Sequence, residues 1–82
     1  MFDLFKANRL IQFYMVQYKG LNIHLTENIR DGFVELFIEC RKTHSTAMHR
    51  FDTYNGNAFA KINIAIIDFL ARGGYESDTS EV

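Results

Sequence analysis

The segment from Phe33 to Arg41 carries the most restrictive pattern in the chain. Every second side chain in it is apolar, and this set comprises Val34, Leu36, Ile38 and Cys40. The intervening set is mixed and comprises Phe33, Glu35, Phe37, Glu39 and Arg41. Successive side chains of a β-strand point to opposite faces, so the pattern predicts a strand that turns the first set toward a core and the second away from it.

A further strand is predicted on each side of this segment. Before it, Leu21, Ile23 and Leu25 alternate with polar residues, and a reversal follows at residues 28–32, where Asp-Gly suits a hairpin turn. After it, a third strand is predicted at about Thr46 to Phe51. Its inward face stays open between two sets, which are Ala47, His49 and Phe51 or Thr46, Met48 and Arg50.

Residues 2–18 have the periodicity of a helix. Their apolar members recur at spacings of three and four residues, as Leu4, Ala7, Ile11, Tyr14 and Tyr18. The spacing predicts an amphipathic helix that ends at Gly20. The alternative is a short helix followed by an extra strand over residues 13–18, because that stretch is rich in aromatic and β-branched residues.

A second helix is predicted from Ala58 to Arg72, with Asn57 as its N-cap and Gly73-Gly74 as its end. It has two adjacent apolar stripes, Phe59, Ile62, Ile66, Phe69 and Leu70 in the first and Ala60, Ile64, Ile67 and Ala71 in the second. The polar stripe of the helix is narrow and holds Lys61, Asp68 and Arg72, with the small Ala65 between them. Such a helix needs cover on more than one side, so we expect a homo-oligomer or a protein partner, with Ile64 and Ile67 in the contact.

The order of these elements predicts an α+β fold, a three-stranded antiparallel sheet with two helices packed on one face. The 82 residues suffice for one domain, and a hydrophobic content of 48% suffices for a core. We assign the domain to residues 1–72. Residues 73–82 carry three of the ten acidic residues and little that could be buried, so we expect a flexible acidic tail.

The expected location of the protein is the cytoplasm. Its one cysteine, Cys40, cannot form an internal disulfide, which favours a reducing compartment. The N-terminal residues include Asp3, Lys6 and Arg9, so they have neither the apolar centre of a signal peptide nor the length of apolar chain that spans a membrane.

Charge is distributed unevenly along the chain. The formal net charge is -1, but the first 72 residues contain nine basic residues against seven acidic ones, a charge of +2. Within them, residues 41–50 hold three permanent cations, two histidines and no acid, and the charged and titratable members are Arg41, Lys42, His44, His49 and Arg50. The stretch is a candidate for contact with a polyanion, and the alternative is a solvated turn between two strands.

Catalytic and metal-binding chemistry are disfavoured. Glu35 and Glu39 lie four residues apart on one strand, too far apart to converge in a pocket. Cys40, His44 and His49, with His24 or Asp52 as a fourth ligand, are of the right type for zinc but have no zinc-finger spacing. We expect a binding protein rather than an enzyme, with no cofactor and no metal.

The order of elements resembles that of the double-stranded-RNA-binding domain, over nearly the whole of residues 1–72. That family grips A-form RNA with its first helix, its first hairpin loop and lysines that open its second helix. The corresponding residues here are Lys6, Arg9 and Gln12, then Asn28 and Arg30, then Asn57 and Lys61. Ala60-Lys61 matches the end of the family's Lys-Lys-x-Ala-Lys motif, whereas Asn57 and Ala58 occupy the positions of its first two lysines.

Two function hypotheses follow. In the first, the protein binds RNA or a ribonucleoprotein. It does so either as this family does or through a second surface, in which the basic stretch contacts phosphates and the outward Phe33 and Phe37 stack on bases. In the second, it is an inhibitor or adaptor that contacts only protein, through Phe33, Phe37 and the apolar excess of the last helix. In size and compactness the chain resembles small bacteriophage proteins that block host defence systems such as toxin–antitoxin pairs, which implies the host cytoplasm.

Overall fold

The secondary structure follows the predicted order. The computed structural model describes residues 2–54 and 57–72. Its elements are α1 (Leu4–Gln17), β1 (Leu21–Asn28), β2 (Phe33–Cys40), β3 (Ser45–Asp52) and α2 (Ala58–Ala71). The α+β fold is therefore confirmed, and the expected tail at residues 73–82 lies outside the described residues.

The three strands form one antiparallel sheet in the order β1-β2-β3. Pairing is unbroken along both ladders, from Leu21 opposite Cys40 to Asn28 opposite Phe33, and from Phe33 opposite Asp52 to Cys40 opposite Ser45. This register decides the open question about β3. Ala47, His49 and Phe51 share a face with the buried side chains of β2, because they stand opposite Ile38, Leu36 and Val34.

The core lies between one face of the sheet and both helices. The predicted inward set of β2 is fully buried, and it packs with residues of β1, α1 and α2 that include Leu21, Ile23, Ala7, Ile11, Ile62 and Ile66. We call the helix-covered face the inner face and the opposite one the outer face. Within residues 2–54 and 57–72, no helix covers the outer face.

Helix α1 runs through the stretch that could also have been a strand. It begins at Asp3, whose side chain accepts a hydrogen bond of 3.0 Å from the backbone N–H of Lys6, and it continues to Gln17. The helical alternative is therefore correct for residues 13–17. It prevails because a helix lets Tyr14, Met15 and Tyr18 pack together against the core.

Helix α2 differs from its prediction in two details. Asn57 precedes the helix with φ 57, a left-handed conformation, and its side chain makes no capping hydrogen bond. Ala65, which the sequence placed in the polar stripe, is only 8% exposed, because α2 packs that side against β3. In the second apolar stripe, Ile64 is 63% and Ile67 48% accessible.

The turn between β1 and β2 forms where Asp-Gly predicted it. The Asn28 side chain accepts a hydrogen bond from the Asp31 backbone N–H at 3.0 Å, and the Gly32 N–H donates to the Asn28 carbonyl at 2.9 Å. Gly32 has φ 73, and a Cβ at this position would overlap the ring of Tyr54. Only glycine both adopts this positive φ readily and leaves room for the Tyr54 ring.

Candidate nucleic-acid interface

The turn between β2 and β3, residues 41–44, presents three cationic or titratable side chains at one end of the sheet. Arg41, Lys42 and His44 are all exposed. The turn closes through a 2.8 Å hydrogen bond from the His44 N–H to the Cys40 carbonyl, and His44 itself has φ 61. Histidine is among the few residues other than glycine that enter this left-handed region with any frequency.

The connection between α1 and β1 adds a further cation to this end. The Arg41 N–H donates to the Gly20 carbonyl at 3.0 Å, and the Lys42 side chain passes beside Gly20. These contacts bring the exposed Lys19 to the same end of the sheet. We call residues 18–20 and 41–44 together the basic end, and they contain no acidic residue. Lys19 was not a candidate in the sequence analysis. The predicted pairing of β1 with β2 could have identified it, because this pairing puts the start of β1 beside the end of β2.

Next to the basic end the outer face carries Asn22, Glu39 and Thr46, and beyond them comes a second row of side chains across the three strands. His24, Phe37 and Met48 are cross-strand neighbours. The His24 and Phe37 rings are stacked, with their centroids 6.5 Å apart and their planes at 28°. Met48 is 64% exposed. This row offers a flat, partly aromatic surface within reach of the basic end.

Arg50 lies farther along the outer face and is already engaged there. Its Nη2 atom is 2.7 Å from Glu35 Oε2, and its guanidinium carbon is 4.2 Å from the centroid of the Phe33 ring. The carboxylate neutralises much of the local positive charge, and the guanidinium occupies one face of the ring. The structure therefore separates Arg50 from the turn with which the sequence grouped it.

His49 is also separated from the turn, because it lies on the inner face. Its ring stacks on Phe51 with centroids 5.8 Å apart. It lines a groove between β3 and α2 that we call the β3–α2 groove, whose other lining residues are Phe51, Lys61, Ile64, Ala65 and Asp68. Lys61 thus faces this groove and not the basic end.

The remaining candidate cations belong to the other end of the molecule. The Lys6 ammonium lies 4.7 Å from the centroid of the Phe59 ring, and Arg9 lies 6.0 Å from that of Phe5. Arg30 is exposed in the turn between β1 and β2. The start of α1 meets the start of α2 here, and Asp3 stands among these groups, so the charge at this end is mixed.

The titratable side chains considered for a metal are dispersed. Cys40 is buried in the inner face, His24 lies on the outer face and His44 is in the turn. Among the described residues, no three His, Cys, Asp or Glu side chains converge as metal ligands. Glu35 accepts hydrogen bonds from Arg50, so it is engaged in a surface ion pair.

Comparison of the chain with protein-family models, characterised proteins and solved structures found no match. Neither of the helices that the structure describes combines the length and the apolar character that crossing a membrane requires.

Proposed function

We propose that the protein binds single-stranded RNA and does not act on it chemically. The observation that carries this proposal is that the acid-free basic end and the row of His24, Phe37 and Met48 belong to one surface, with only the row of Asn22, Glu39 and Thr46 between them. Phe37 lies four residues before Arg41 on the same strand, a distance of about 13 Å at the rise of an extended chain. A strand of RNA crossing the end of the sheet can reach both.

Each part of this surface supplies one of the two interactions that single strands require. Lys19, Arg41 and Lys42 are positioned to neutralise phosphates, which gives an affinity that depends on salt. Phe37 and His24 offer ring faces for stacking, an interaction that tolerates any base. The bases of a single strand can be splayed onto such a surface, whereas those of an A-form duplex are held inside its stack.

Fluorescence anisotropy of a labelled single-stranded RNA, measured over a series of salt concentrations, tests the proposal. If about three phosphates are neutralised, the logarithm of the association constant should fall with the logarithm of salt concentration with a slope of about -2. The double variant Arg41→Glu and Lys42→Glu should weaken binding at least tenfold. Phe37→Ala should weaken it by about 5- to 100-fold through lost stacking.

The matched control is Lys6→Glu with Arg9→Glu, which makes the same change of charge at the opposite end of the molecule. This variant should bind single-stranded RNA almost as the parent protein does. Absence of binding at low salt would refute the proposal. Preference for the duplex, combined with a larger loss in the control than in the basic-end variant, would instead assign binding to α1, Arg30 and Lys61.

A further inference from the structure

Strand β3 lies at one edge of the sheet formed by the described residues, and the hydrogen-bonding groups along that edge can be identified. The Thr53 N–H donates to the Gly32 carbonyl at 2.9 Å, so residue 53 turns its backbone groups toward β2. These groups alternate along an antiparallel strand, hence Thr46, Met48 and Arg50 turn theirs away from the sheet. Within the described part of the chain, β3 pairs only with β2.

The sequence of β3 protects this edge only weakly, through the charged Arg50 and Asp52 near one end. Its eight residues pair with β2 without a bulge, and they include neither proline nor lysine, the residues that commonly prevent pairing at an edge. The edge of β1 differs. Two of its outward N–H groups have acceptors, since Leu21 donates to the Tyr18 carbonyl at 3.1 Å and Ile23 to Met15 Sδ at 3.4 Å.

The side of α2 that overhangs this edge has a self-complementary charge pattern. Lys61 and Asp68 are seven residues apart, so they lie on one side of the helix, with Ile64 near the midpoint between them. Asp68 also holds Arg72 at 2.9 Å. Ala65 lines the β3–α2 groove with His49, which places the midpoint of this helix stripe level with the middle of β3.

From these features we propose that two copies of the chain associate through their β3 edges, with Met48 on the two-fold axis. Thr46 of one protomer then pairs with Arg50 of the other, and Met48 pairs with its own counterpart. Each pair exchanges both of its backbone hydrogen bonds. The sheets join into one continuous antiparallel sheet, and this contact does not depend on the proposed binding of RNA.

The side chains of the inner face are also complementary across this axis. In this register Phe51 stands beside Ser45 of the second copy, and His49 beside Ala47, so each bulky residue meets a small one. The two-fold axis makes the two α2 helices run antiparallel on the helix-covered side of the junction. Lys61 of each protomer then faces Asp68 of the other, and Ile64 is covered. A two-fold contact requires this kind of self-complementarity.

Sedimentation equilibrium at several protein concentrations tests the contact. The parent protein should reach twice the 9.6 kDa mass of the chain. Met48→Pro removes an outward N–H, which an edge strand tolerates without losing its fold, so this variant should be a folded monomer. Far-ultraviolet circular dichroism checks that it is folded.

Charge variants provide a second test that does not require proline. Lys61→Asp places acids opposite acids in a homodimer, and Asp68→Lys places lysines opposite lysines, so each should dissociate about tenfold more readily than the parent. In a mixed dimer of the two variants every opposed pair is attractive. Native mass spectrometry of the mixture should therefore show mainly the mixed dimer.

Three outcomes would overturn the proposal. The first is a parent protein that stays monomeric at all concentrations tested. The second is a dimer that persists in folded Met48→Pro with unchanged affinity. The third is a mixture of the charge variants without preference for the mixed dimer, which would show that Lys61 and Asp68 do not meet across the axis.

Discussion

The two edges of the sheet carry the same kind of strand but differ in what surrounds them. At the β1 edge, α1 and the chain that follows it supply acceptors for backbone N–H groups, including the sulfur of Met15 for Ile23. At the β3 edge, the outward N–H groups of Thr46, Met48 and Arg50 have no acceptor among the hydrogen bonds of the described residues. Since an exposed edge promotes pairing with another chain, the contrast indicates which edge is available for association.

The two sides of α2 show the same difference between a bonded and an exposed surface. Helix α2 is bonded on the side that faces α1, where the Tyr14 hydroxyl donates to Asn63 Oδ1 at 2.8 Å. On the side that overhangs β3, it exposes Ile64 between Lys61 and Asp68. Among residues 2–54 and 57–72, the inner layer is therefore covered on the α1 side, whereas Ile64 on the β3 side is left exposed.

Proline substitution at the two edges should give the largest difference between them. Ile23→Pro removes a buried side chain and the N–H bonded to Met15, so it should lower the free energy of unfolding by about 3 kcal/mol or more. Met48→Pro should lower the free energy of unfolding by less than about 1 kcal/mol. This value is measured against the parent protein at concentrations where parent and variant are both monomers. Urea unfolding measures both values. Equal losses would contradict the distinction between a closed and an open edge.

Removal of the Tyr14 hydroxyl should have a smaller effect that depends on pH. Tyr14→Phe loses the bond to Asn63, which should cost about 1 kcal/mol near neutral pH. Burial raises the pKa of Tyr14 above its ordinary 10.0, and repulsion from Tyr18 adds to the rise. The folded state therefore retains this proton when the unfolded chain loses it, so stability should fall as pH rises above 10.

Urea unfolding of the parent protein and of Tyr14→Phe on both sides of pH 10 checks this expectation. The parent should lose more stability than the variant over this interval. Tyr54→Phe is the control, because Tyr54 is 75% exposed. A parent and a Tyr14→Phe variant with parallel pH profiles would show that Tyr14 titrates alike in the folded and unfolded states.

The weakest of these effects concerns the sulfur at the closed edge. Met15→Leu keeps most of the apolar volume but removes the acceptor of the Ile23 N–H, so stability should fall by about 0.5 kcal/mol. Hydrogen exchange offers a more local readout. The Ile23 amide should exchange faster in the variant, while the Ile38 amide in the central strand keeps its protection. Unchanged exchange at Ile23 would mean that the sulfur does not protect this edge.

Much of the fold could be predicted because its patterns are long and regular. The alternation around Val34 and Leu36 identified β2, and the spacing of Ala7 and Ile11 identified α1. The face of β3 could not be predicted, since both of its alternate sets contain apolar and polar residues and only the pairing with β2 decides between them. The burial of Ala65 was missed because it depends on how closely α2 approaches β3.

The candidate site was predictable only in part. The turn at residues 41–44 lies where the sequence placed it, because a turn between two strands is a local feature. Alternation along β3 then sends His49 and Arg50 to opposite faces, which a count of charges along the chain does not capture. Lys19 joins the basic end only through the contacts of Gly20 with the turn, and such a long-range contact leaves no local mark in the sequence.

The measurement that tests the proposed function most directly is a nuclear magnetic resonance titration of isotope-labelled protein with single-stranded RNA. The largest amide shifts should occur at the basic end, in Lys19, Arg41 and Lys42, and next to it at His24 and Phe37 on the outer face. Shifts confined to Lys6, Arg9 and Arg30, or no shifts at low salt, would contradict the assignment of binding to the basic end and the outer face.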